Sequence, residues 1–556
     1  MNKNFNRRQF IGTFGMGALG AVVLHSCSQS GGPDTILHNA NIFTSNINQP
    51  KASAIAFTNG RVVAIGAEKD ILHLAGSSTN KIDIGEKTIT PGFIDAHSHP
   101  ASSGLRHLQS VDCDLRSIVK IQQAIKDKAG KTPPGDWVLG FKYDDTKTSE
   151  GRYITRYDLD LVTTEHPVKI THRGGHTAYV NSMALALANI DRSTPDPDGG
   201  QIVRDELGEP TGLLKENATE LLSNIPNNTT AKDRQDGVRL ITEMMTKSGI
   251  TSVTDAYGSL NTLASYKDAY NAGELSARIY CMIGYFNIGE AIEQNITTGD
   301  GDDWVRVGGM KLTCDGSISE RTARLSEPYV GRPDDYGIIV MDEEELYSYA
   351  IKAHKANWQI GIHANGDVGI TKSLNVFERL QSAYSRNDPR FRLEHCTVIN
   401  DEIIRRIKQL NVIPNPFSTY VYFHGEKMVF YGKERLENMF AVKSFLDAGI
   451  NVTQTSDYPP GPYEPMMALQ SSVTRTDMSG TTWGPSQKIS VEEALKVGTI
   501  NGAYASFEEN DKGSLEIGKL ADLVVLGEDP TQVDPDTLIN IKIERTMVGG
   551  KWVYES

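Results

Sequence analysis

Two histidines separated by one residue, His97 and His99, follow the short apolar run at residues 93–96. Side chains alternate between the two faces of an extended strand, so both imidazoles project from one face and can reach a single cation. Pairs of nearby histidines are common, and this pair alone is weak evidence for a metal site. It becomes informative only if other ligands fall at equivalent positions of later strands.

Three further candidate ligands, His363, His395 and Asp457, each end a strand-like apolar run. A fourth polar group, Lys311, lies inside the apolar run 309–313, where an unpaired ammonium would be costly to bury. The lysine is therefore expected to be neutral or to hold a charged partner. If these runs are neighbouring parallel strands, all the candidate groups meet at the edge formed by the carboxyl ends.

The elements that must position these groups can be counted along the chain. Between residues 89 and 504, strand-like runs alternate with helical patterns, which is typical of βα units around a parallel sheet. The runs comprise residues 93–96, 250–255, 278–283, 309–313, 359–363, 391–395, 412–416 and 451–456. These eight runs predict an α/β fold, a distorted (β/α)8 TIM barrel with the candidate ligands at its mouth.

Two further units are predicted around the barrel. Residues 102–236 are far more than one crossover helix needs, so they predict an insertion subdomain after the first barrel strand that encloses the substrate. Short alternating strands at 35–88 and 505–556, with the turn signals Asn59-Gly60 and Gly549-Gly550, predict a small β-sandwich domain built from both chain ends.

The composition limits the classes of partner. The formal net charge of -14 over 556 residues, with no run of lysine or arginine, argues against a nucleic-acid partner. The five cysteines are scattered, without the dense framework that staples small secreted domains. A homo-oligomer is compatible with these features, which do not specify the number of subunits.

Residues 1–34 are predicted to be an export signal and tether. The pair Arg7-Arg8 before a Gly-rich apolar run resembles a twin-arginine signal, and Leu24-His25-Ser26-Cys27 resembles a lipobox, although His25 is unusual there. The resemblance implies an exported bacterial protein, periplasmic or anchored to the membrane only through lipid at Cys27. A simple membrane anchor is the alternative, but the run is shorter than a span of about 20 residues.

The sequence motifs around the candidate ligands resemble those of the binuclear amidohydrolases. The motifs Pro-Gly-Phe-Ile-Asp-Ala-His-Ser-His, Lys-x-x-x-Asp-Gly-Ser, His-Ala-Asn-Gly-Asp, Arg-x-Glu-His and Ser-Asp-Tyr-Pro are together similar to the amidohydrolase 3 group, which includes N-substituted formamide deformylases and YtcJ-like proteins. The resemblance covers about residues 35–556. Its motifs are specific for the superfamily and do not specify a substrate.

The resemblance implies a ligand set for two divalent metal ions. His97, His99 and Asp457 would hold one ion, His363 and His395 the second, and Lys311, carboxylated by carbon dioxide, would bridge them. A carbamate also accounts for the buried lysine, because its negative charge is neutralised by the two cations. Zinc is the first choice for these donors, and manganese, iron or cobalt would also fit.

The implied activity is hydrolysis of a carbon–nitrogen bond in a small amide-type substrate, N-acyl, N-formyl or cyclic. A metal-activated hydroxide would attack the carbonyl, and Asp457 would take up a proton and pass it to the leaving nitrogen. One alternative is a mononuclear deaminase, which usually has His-x-x-Glu where this chain has His363-Ala-Asn-Gly366. Another is a non-catalytic exported lipoprotein, which would not need the complete ligand set.

Three residues outside the ligand set are candidates for substrate binding. His176 and Asn181 lie in a segment that resembles the family's Asp-Gly-His-x-x-x-x-Asn, with Gly174 where aspartate is usual. The alternative is structural, a histidine that braces the insertion and an asparagine that caps a helix. Arg321 could clamp an anionic group of the substrate or form a structural salt bridge.

Three carboxylates next to the candidate ligands are assigned supporting roles. Asp315 and Asp367 follow ligand-bearing strands and are predicted to orient a histidine. Glu394 precedes His395, and the alternation of strand faces predicts that it points away from the site and is structural.

Overall fold

The computed structural model describes residues 31–222 and 229–556. The predicted export signal and the lipidation site Cys27 lie outside the described residues. Within the described ranges, no helix has the length and apolar character needed to cross a bilayer. The described cysteines, Cys113, Cys281, Cys314 and Cys396, are buried and form no disulfide with one another.

Seven parallel strands form the central sheet, and each pairs with the next one along the chain. They are β1 (Phe93–Ser98), β2 (Ile250–Gly258), β3 (Arg278–Gly284), β4 (Val305–Thr313), β5 (Ile360–Ala364), β6 (Arg392–His395) and β7 (Ile413–Asn415). Almost every residue in them is buried, as expected of a parallel sheet covered on both faces. The predicted α/β barrel is confirmed.

The predicted eighth strand at 451–456 is not a regular strand. Its backbone still bonds to both neighbours, because Thr453 donates to Pro414 O of β7 at 3.3 Å and Ala96 of β1 donates to Gln454 O at 3.0 Å. Side chains replace part of the ladder, as where Thr455 N donates to Ser418 Oγ at 3.1 Å. The segment therefore closes the barrel between β7 and β1 without forming a regular pair.

Helices surround the barrel and bury their apolar faces against it. In the helix that follows β5, Ile370, Leu374 and Phe377 are fully buried. The α-helices of this part of the chain are Pro100–Gln109, Ala231–Lys247, Leu260–Asn271, Ile288–Glu293, Glu343–Lys355, Asp367–Ala383, Asp401–Leu410, Tyr420–Phe423, Lys433–Leu436, Val442–Asp447, Pro465–Thr474, Val491–Val497 and Ile500–Ala505. Short 3-10 helices lie at Tyr285–Asn287, Gly425–Phe430, Pro485–Gln487 and Pro535–Asn540.

A second sheet lies between β1 and β2 of the chain. It comprises Val111–Asp112, Val138–Tyr143, Val168–His172, Thr177–Val180, Gly200–Arg204 and Pro210–Glu216, with helices Ile118–Ala129, Arg156–Asp160 and Ser182–Leu187 and 3-10 turns Asp145–Lys147 and Asn217–Leu222. Ile121, Ile125, Tyr143 and Ile170 belong to a core of its own. Residues from this sheet reach the barrel mouth.

Strands from the two chain ends form two further sheets. One contains Thr35–His38, Ala54–Thr58, Arg61–Gly66 and Asn80–Asp83, and the other contains Asn41–Phe43, Lys51–Ala52, Thr88–Pro91, Leu523–Leu526, Ile543–Val548 and Lys551–Glu555. The helix Glu68–Leu72 packs beside the first. Leu523–Leu526 pairs with Thr88–Pro91, so the two ends of the chain are joined directly ahead of β1.

A buried ion pair fastens the barrel to the carboxyl-terminal strands. Arg278, the first residue of β3, donates to Asp522 at 2.6 Å from Nε and 2.9 Å from Nη2. The side chains of the pair are 2% and 4% exposed. Breaking such a pair leaves one charge buried without a partner, which costs more than the pair itself contributes.

We expect Asp522→Ala to lower the free energy of unfolding by about 3–5 kcal/mol, because Arg278 would stay buried and unpaired. Glu402→Ala is the control, since it removes an ion pair with Arg405 in which both side chains are 61% exposed, and it should cost less than about 1 kcal/mol. Urea unfolding curves measure both. Equal losses in the two variants would contradict the prediction.

Candidate metal centre

The barrel brings all six predicted ligands to one mouth. His97, His363 and His395 lie in β1, β5 and β6, Lys311 lies in β4, and His99 and Asp457 follow β1 and the closing segment. His99 Nε2 lies 3.1 Å and His97 Nε2 3.3 Å from Asp457 Oδ1. The ring centroid of His395 is 4.7 Å from that of His97 and 4.5 Å from that of His363.

Two buried ring nitrogens at this mouth, His97 Nε2 and His395 Nδ1, have no hydrogen-bond partner. A buried polar atom left unpaired costs about 1–3 kcal/mol, and bound metal cations that accept these lone pairs would remove that cost. His97, His99 and Asp457 each offer a ligand atom within 4.8 Å of one another. Imidazole and carboxylate donors in this arrangement fit a divalent transition-metal ion.

The pKa directions of four of these groups agree with that fit. Burial lowers the pKa of His395 to about 3 and takes the pKa of His363 well below its usual range, so both rings are neutral. Burial would raise the pKa of Asp457, but His395, His97 and His99 hold it well below the ordinary value. Burial also lowers the pKa of Lys311, which favours the neutral amine. Metal ligation requires neutral imidazoles and an ionised carboxylate.

Glu394 was predicted to point away from the site, and this prediction is wrong. Its Oε2 lies 2.5 Å from His97 Nδ1, and Arg392 Nε donates to its Oε1 at 2.7 Å. The alternation of faces fails because His395 has a left-handed backbone, with φ 73°. Glu394 therefore orients His97 so that Nε2 faces the mouth, as carboxylates do for metal-bound histidines.

His176 lies at the mouth. Its ring centroid is 5.2 Å from that of His363, and it shares a small cavity with Ser317, Asn365 and Asp457. Its Nδ1 lies 2.7 Å from Glu216 Oε2, and Thr322 Oγ1 donates to the other oxygen of Glu216 at 2.6 Å. Glu216, which the sequence analysis did not single out, thus fixes the orientation of His176.

Asn181 and Arg321 do not face this cavity. Asn181 Oδ1 accepts from Val168 N and Ala184 N, both at 3.0 Å, so it caps the helix Ser182–Leu187. Arg321 Nη2 donates to Tyr153 Oη at 2.8 Å and to Asp145 Oδ2 at 3.2 Å. In both cases the structure shows the structural alternative, because the hydrogen bonds of these side chains go to groups of the insertion.

Asp315 and Asp367 were expected to orient a histidine, but neither makes a hydrogen bond to a histidine ring. Asp315 accepts the backbone N–H groups of Asn365 at 2.9 Å and Gly366 at 2.8 Å, and so holds the loop that follows His363. Asp367 instead accepts from Ser326 N at 2.9 Å, away from the site. Asp315 supports the site through the backbone rather than through the imidazole.

A buried network of charges ties the insertion to the mouth. His172 Nδ1 lies 3.1 Å from Glu320 Oε1, and Lys427 Nζ donates to Asp144 Oδ2 at 2.8 Å. Burial would lower the pKa of His172, but Glu320, Asp145 and Asp144 raise it to about 9. Asp144, Asp145 and His172 have the spacing of metal ligands, but here the ammonium of Lys427 supplies the positive charge.

A TIM-like barrel with imidazoles and a carboxylate at its mouth defines a metal-dependent hydrolase. The chain belongs to the amidohydrolase family, whose model matches residues 81–554. This finding confirms the family resemblance inferred from the motifs.

Individual relatives cover nearly the whole chain. The chain is 30% identical over 533 residues to the protein YtcJ of Bacillus subtilis (strain 168), and the aligned region covers 94% of this chain and 99% of that one. It is also 30% identical over 544 residues to an N-substituted formamide deformylase of Arthrobacter pascens, with 94% and 98% covered. An uncharacterized metal-dependent hydrolase of Pyrococcus horikoshii OT3 superposes with a TM-score of 0.73 at 26% identity, covering 90% of this chain and 99% of that one.

We expect Glu394→Gln to weaken metal binding by about 10- to 100-fold, because the amide cannot hold His97 as the carboxylate does. Metal release to a competing chelator measures the dissociation constant. Glu492→Gln, a change at an exposed helix position, is the control and should leave the affinity unchanged. Equal affinity in wild type and Glu394→Gln would remove Glu394 from the metal centre.

His172 should make stability depend on pH. Its pKa in the folded protein, about 9, lies above the ordinary value, so its contribution is complete below about pH 6.5 and is lost as the pH rises through about 9. The difference in urea midpoint between wild type and His172→Gln should therefore be largest near pH 6 and shrink by about pH 9.5. His73→Gln, at an exposed position, should leave the midpoints unchanged. A difference that stays constant with pH would contradict this assignment.

Proposed function

We propose that this protein hydrolyses a carbon–nitrogen bond in a small amide-type substrate, such as an N-formyl, N-acyl or cyclic amide. The observation that carries the proposal is the convergence of the six predicted ligands at one mouth, where two imidazole nitrogens are buried without a partner. The deformylase relative acts on an amide according to its name, which supports the same class of bond here.

The proposed ligand set divides between two ions, with zinc as the first choice. His97, His99 and Asp457 would hold one ion, His363 and His395 the other, and Lys311, once carboxylated, would bridge them. The neutral amine that burial favours at Lys311 is the form that can react with carbon dioxide. When bound, the ions would supply a Lewis acid for the carbonyl and a water whose pKa is lowered to roughly 7.

The chain itself supplies the proton transfer. Asp457 is ionised and lies within 3.3 Å of two imidazoles, so it can accept a proton from the attacking water and return it to the leaving nitrogen. A carboxylate in such a role contributes about 10²- to 10⁴-fold to the rate. His176, held by Glu216 at the edge of the same cavity, is placed to contact the substrate beside the reacting carbonyl.

The enclosure of the site suits a reaction that must exclude bulk water. The insertion contributes His176 and Gly174, the segment after β4 contributes Ser317 and Ser319, and Phe417 follows β7, all lining the same cavity. The charge network behind them anchors the insertion over the mouth. Because the walls come from three segments, they would shape the substrate specificity of the enzyme.

Metal analysis of the purified protein should give close to two equivalents, and Lys311→Ala should lower both the metal content and the rate of amide hydrolysis, the rate by at least about 100-fold. The rate is measured against a panel of N-formyl amines, N-acyl amino acids and cyclic imides. Lys496→Ala, on the helix Val491–Val497 at an exposed position, is the control.

Two other results would redirect the proposal. One equivalent of metal together with an active Lys311→Ala variant would exclude the bridge and favour the mononuclear deaminase. An Asp457→Asn variant that keeps full activity would remove Asp457 as the proton carrier.

A further inference from the structure

Three aromatic side chains lie together beside the metal centre, and we call them the aromatic shelf. Tyr257 lies near the carboxyl end of β2, and Tyr285 and Phe286 directly follow β3. Tyr257 is 38% exposed and Phe286 is 56% exposed. Neither ring is needed to fill the core of the barrel, so their exposure at the mouth requires another explanation.

The three rings form one continuous surface. The centroid of Phe286 lies 5.6 Å from that of Tyr257 and 5.8 Å from that of Tyr285. Tyr285 in turn packs edge-on against Tyr349 of the helix Glu343–Lys355, at 4.8 Å. The shelf is therefore anchored to the barrel wall on one side and open on the other.

The shelf adjoins the predicted bridging residue. Lys311 Nζ lies 5.7 Å from the ring centroid of Tyr257, and Gly284, the last residue of β3, is the register partner of Lys311. A Cβ on Gly284 would lie 2.4 Å from Phe286 Cε1. The ring of Phe286 thus lies against Gly284, level with Lys311, where only a glycine leaves room for it.

We propose that the aromatic shelf binds an aromatic substituent of the amide substrate. The inference rests on the proposed function, since it takes the mouth beside Lys311 to be where the amide bond is cleaved. Two exposed rings meeting at 67° offer one face and one edge to an incoming ring, which is the geometry that aromatic pairs prefer. A methyl group in the same place would contact far less of this surface.

The test compares two N-formyl amines that differ only in the substituent, which is a phenyl-bearing chain or a methyl group. We expect the metal-loaded wild type to prefer the phenyl substrate. Phe286→Ala should lower kcat/KM for the phenyl substrate by about 3- to 10-fold, chiefly through KM, and change that for the methyl substrate by less than about 2-fold.

A second variant tests the shelf without removing any ring. Gly284→Ala should displace Phe286 and give the same selective loss, because its Cβ would take the space of the ring. Tyr157→Ala is the control, since Tyr157 is 54% exposed on the helix Arg156–Asp160 of the insertion, and it should leave the rates with both substrates unaffected.

Binding is measured separately, as the rise in unfolding temperature with the phenyl-bearing amine and with methylamine. If no formamide is hydrolysed but Phe286→Ala selectively weakens binding of the phenyl amine, the shelf is supported and the proposed function fails. If wild type hydrolyses the phenyl and methyl substrates equally well, or if the shelf variants affect both substrates alike, the shelf proposal is overturned while the proposed function stands.

Discussion

The metal centre depends on the way in which the barrel is closed. The segment that follows β7 accepts a hydrogen bond from Ala96 through Gln454 O, and Asp457 N donates to His97 O at 2.8 Å. These two backbone bonds set Asp457 directly against the two histidines of β1, although more than 350 residues separate them in the chain. Without this closure the only carboxylate of the predicted ligand set would not meet its imidazoles.

Burial then determines the charge state of each group at the mouth. Neutral imidazoles at His363 and His395, and an ionised Asp457, follow from desolvation and from their mutual fields. Two ring nitrogens consequently have lone pairs but no donor. In such a site a cation can accept lone pairs from the imidazoles and also neutralise the carboxylate of Asp457. Glu394, which is itself held by Arg392, orients His97 toward that position.

The walls of the mouth are built from elements that are distant in sequence. Glu216 and His176 come from the insertion, Ser317 from the segment after β4, and the aromatic rings from the ends of β2 and β3. The barrel strands carry the candidate metal ligands. The insertion and the segments after the strands surround these ligands with side chains whose chemistry differs between the two sides of the mouth. Polar groups line the side near His363, and aromatic rings line the side near Lys311. The proposed substrate, an amide with one aromatic arm, would match that asymmetry.

The amino-acid sequence by itself determined the alternation of strands and helices, and with it the barrel and the six groups at its mouth. These features depend on local periodicity and on the position of a residue at the end of its strand, both of which can be read along the chain. For the same reason seven of the barrel strands were located correctly, and the family motifs at the strand ends were informative.

Only the tertiary structure decided the features that depend on a departure from regular geometry or on contacts between distant segments. The left-handed backbone of His395 departs from the alternation of faces, so His395 and Glu394 both reach the same site, and the eighth strand is irregular because side chains of its neighbours replace ladder bonds. The roles of Asn181, Arg321 and Glu216 were set by partners elsewhere in the fold. A periodic pattern specifies which face a residue occupies in a regular element, but it does not specify which distant group will meet it there.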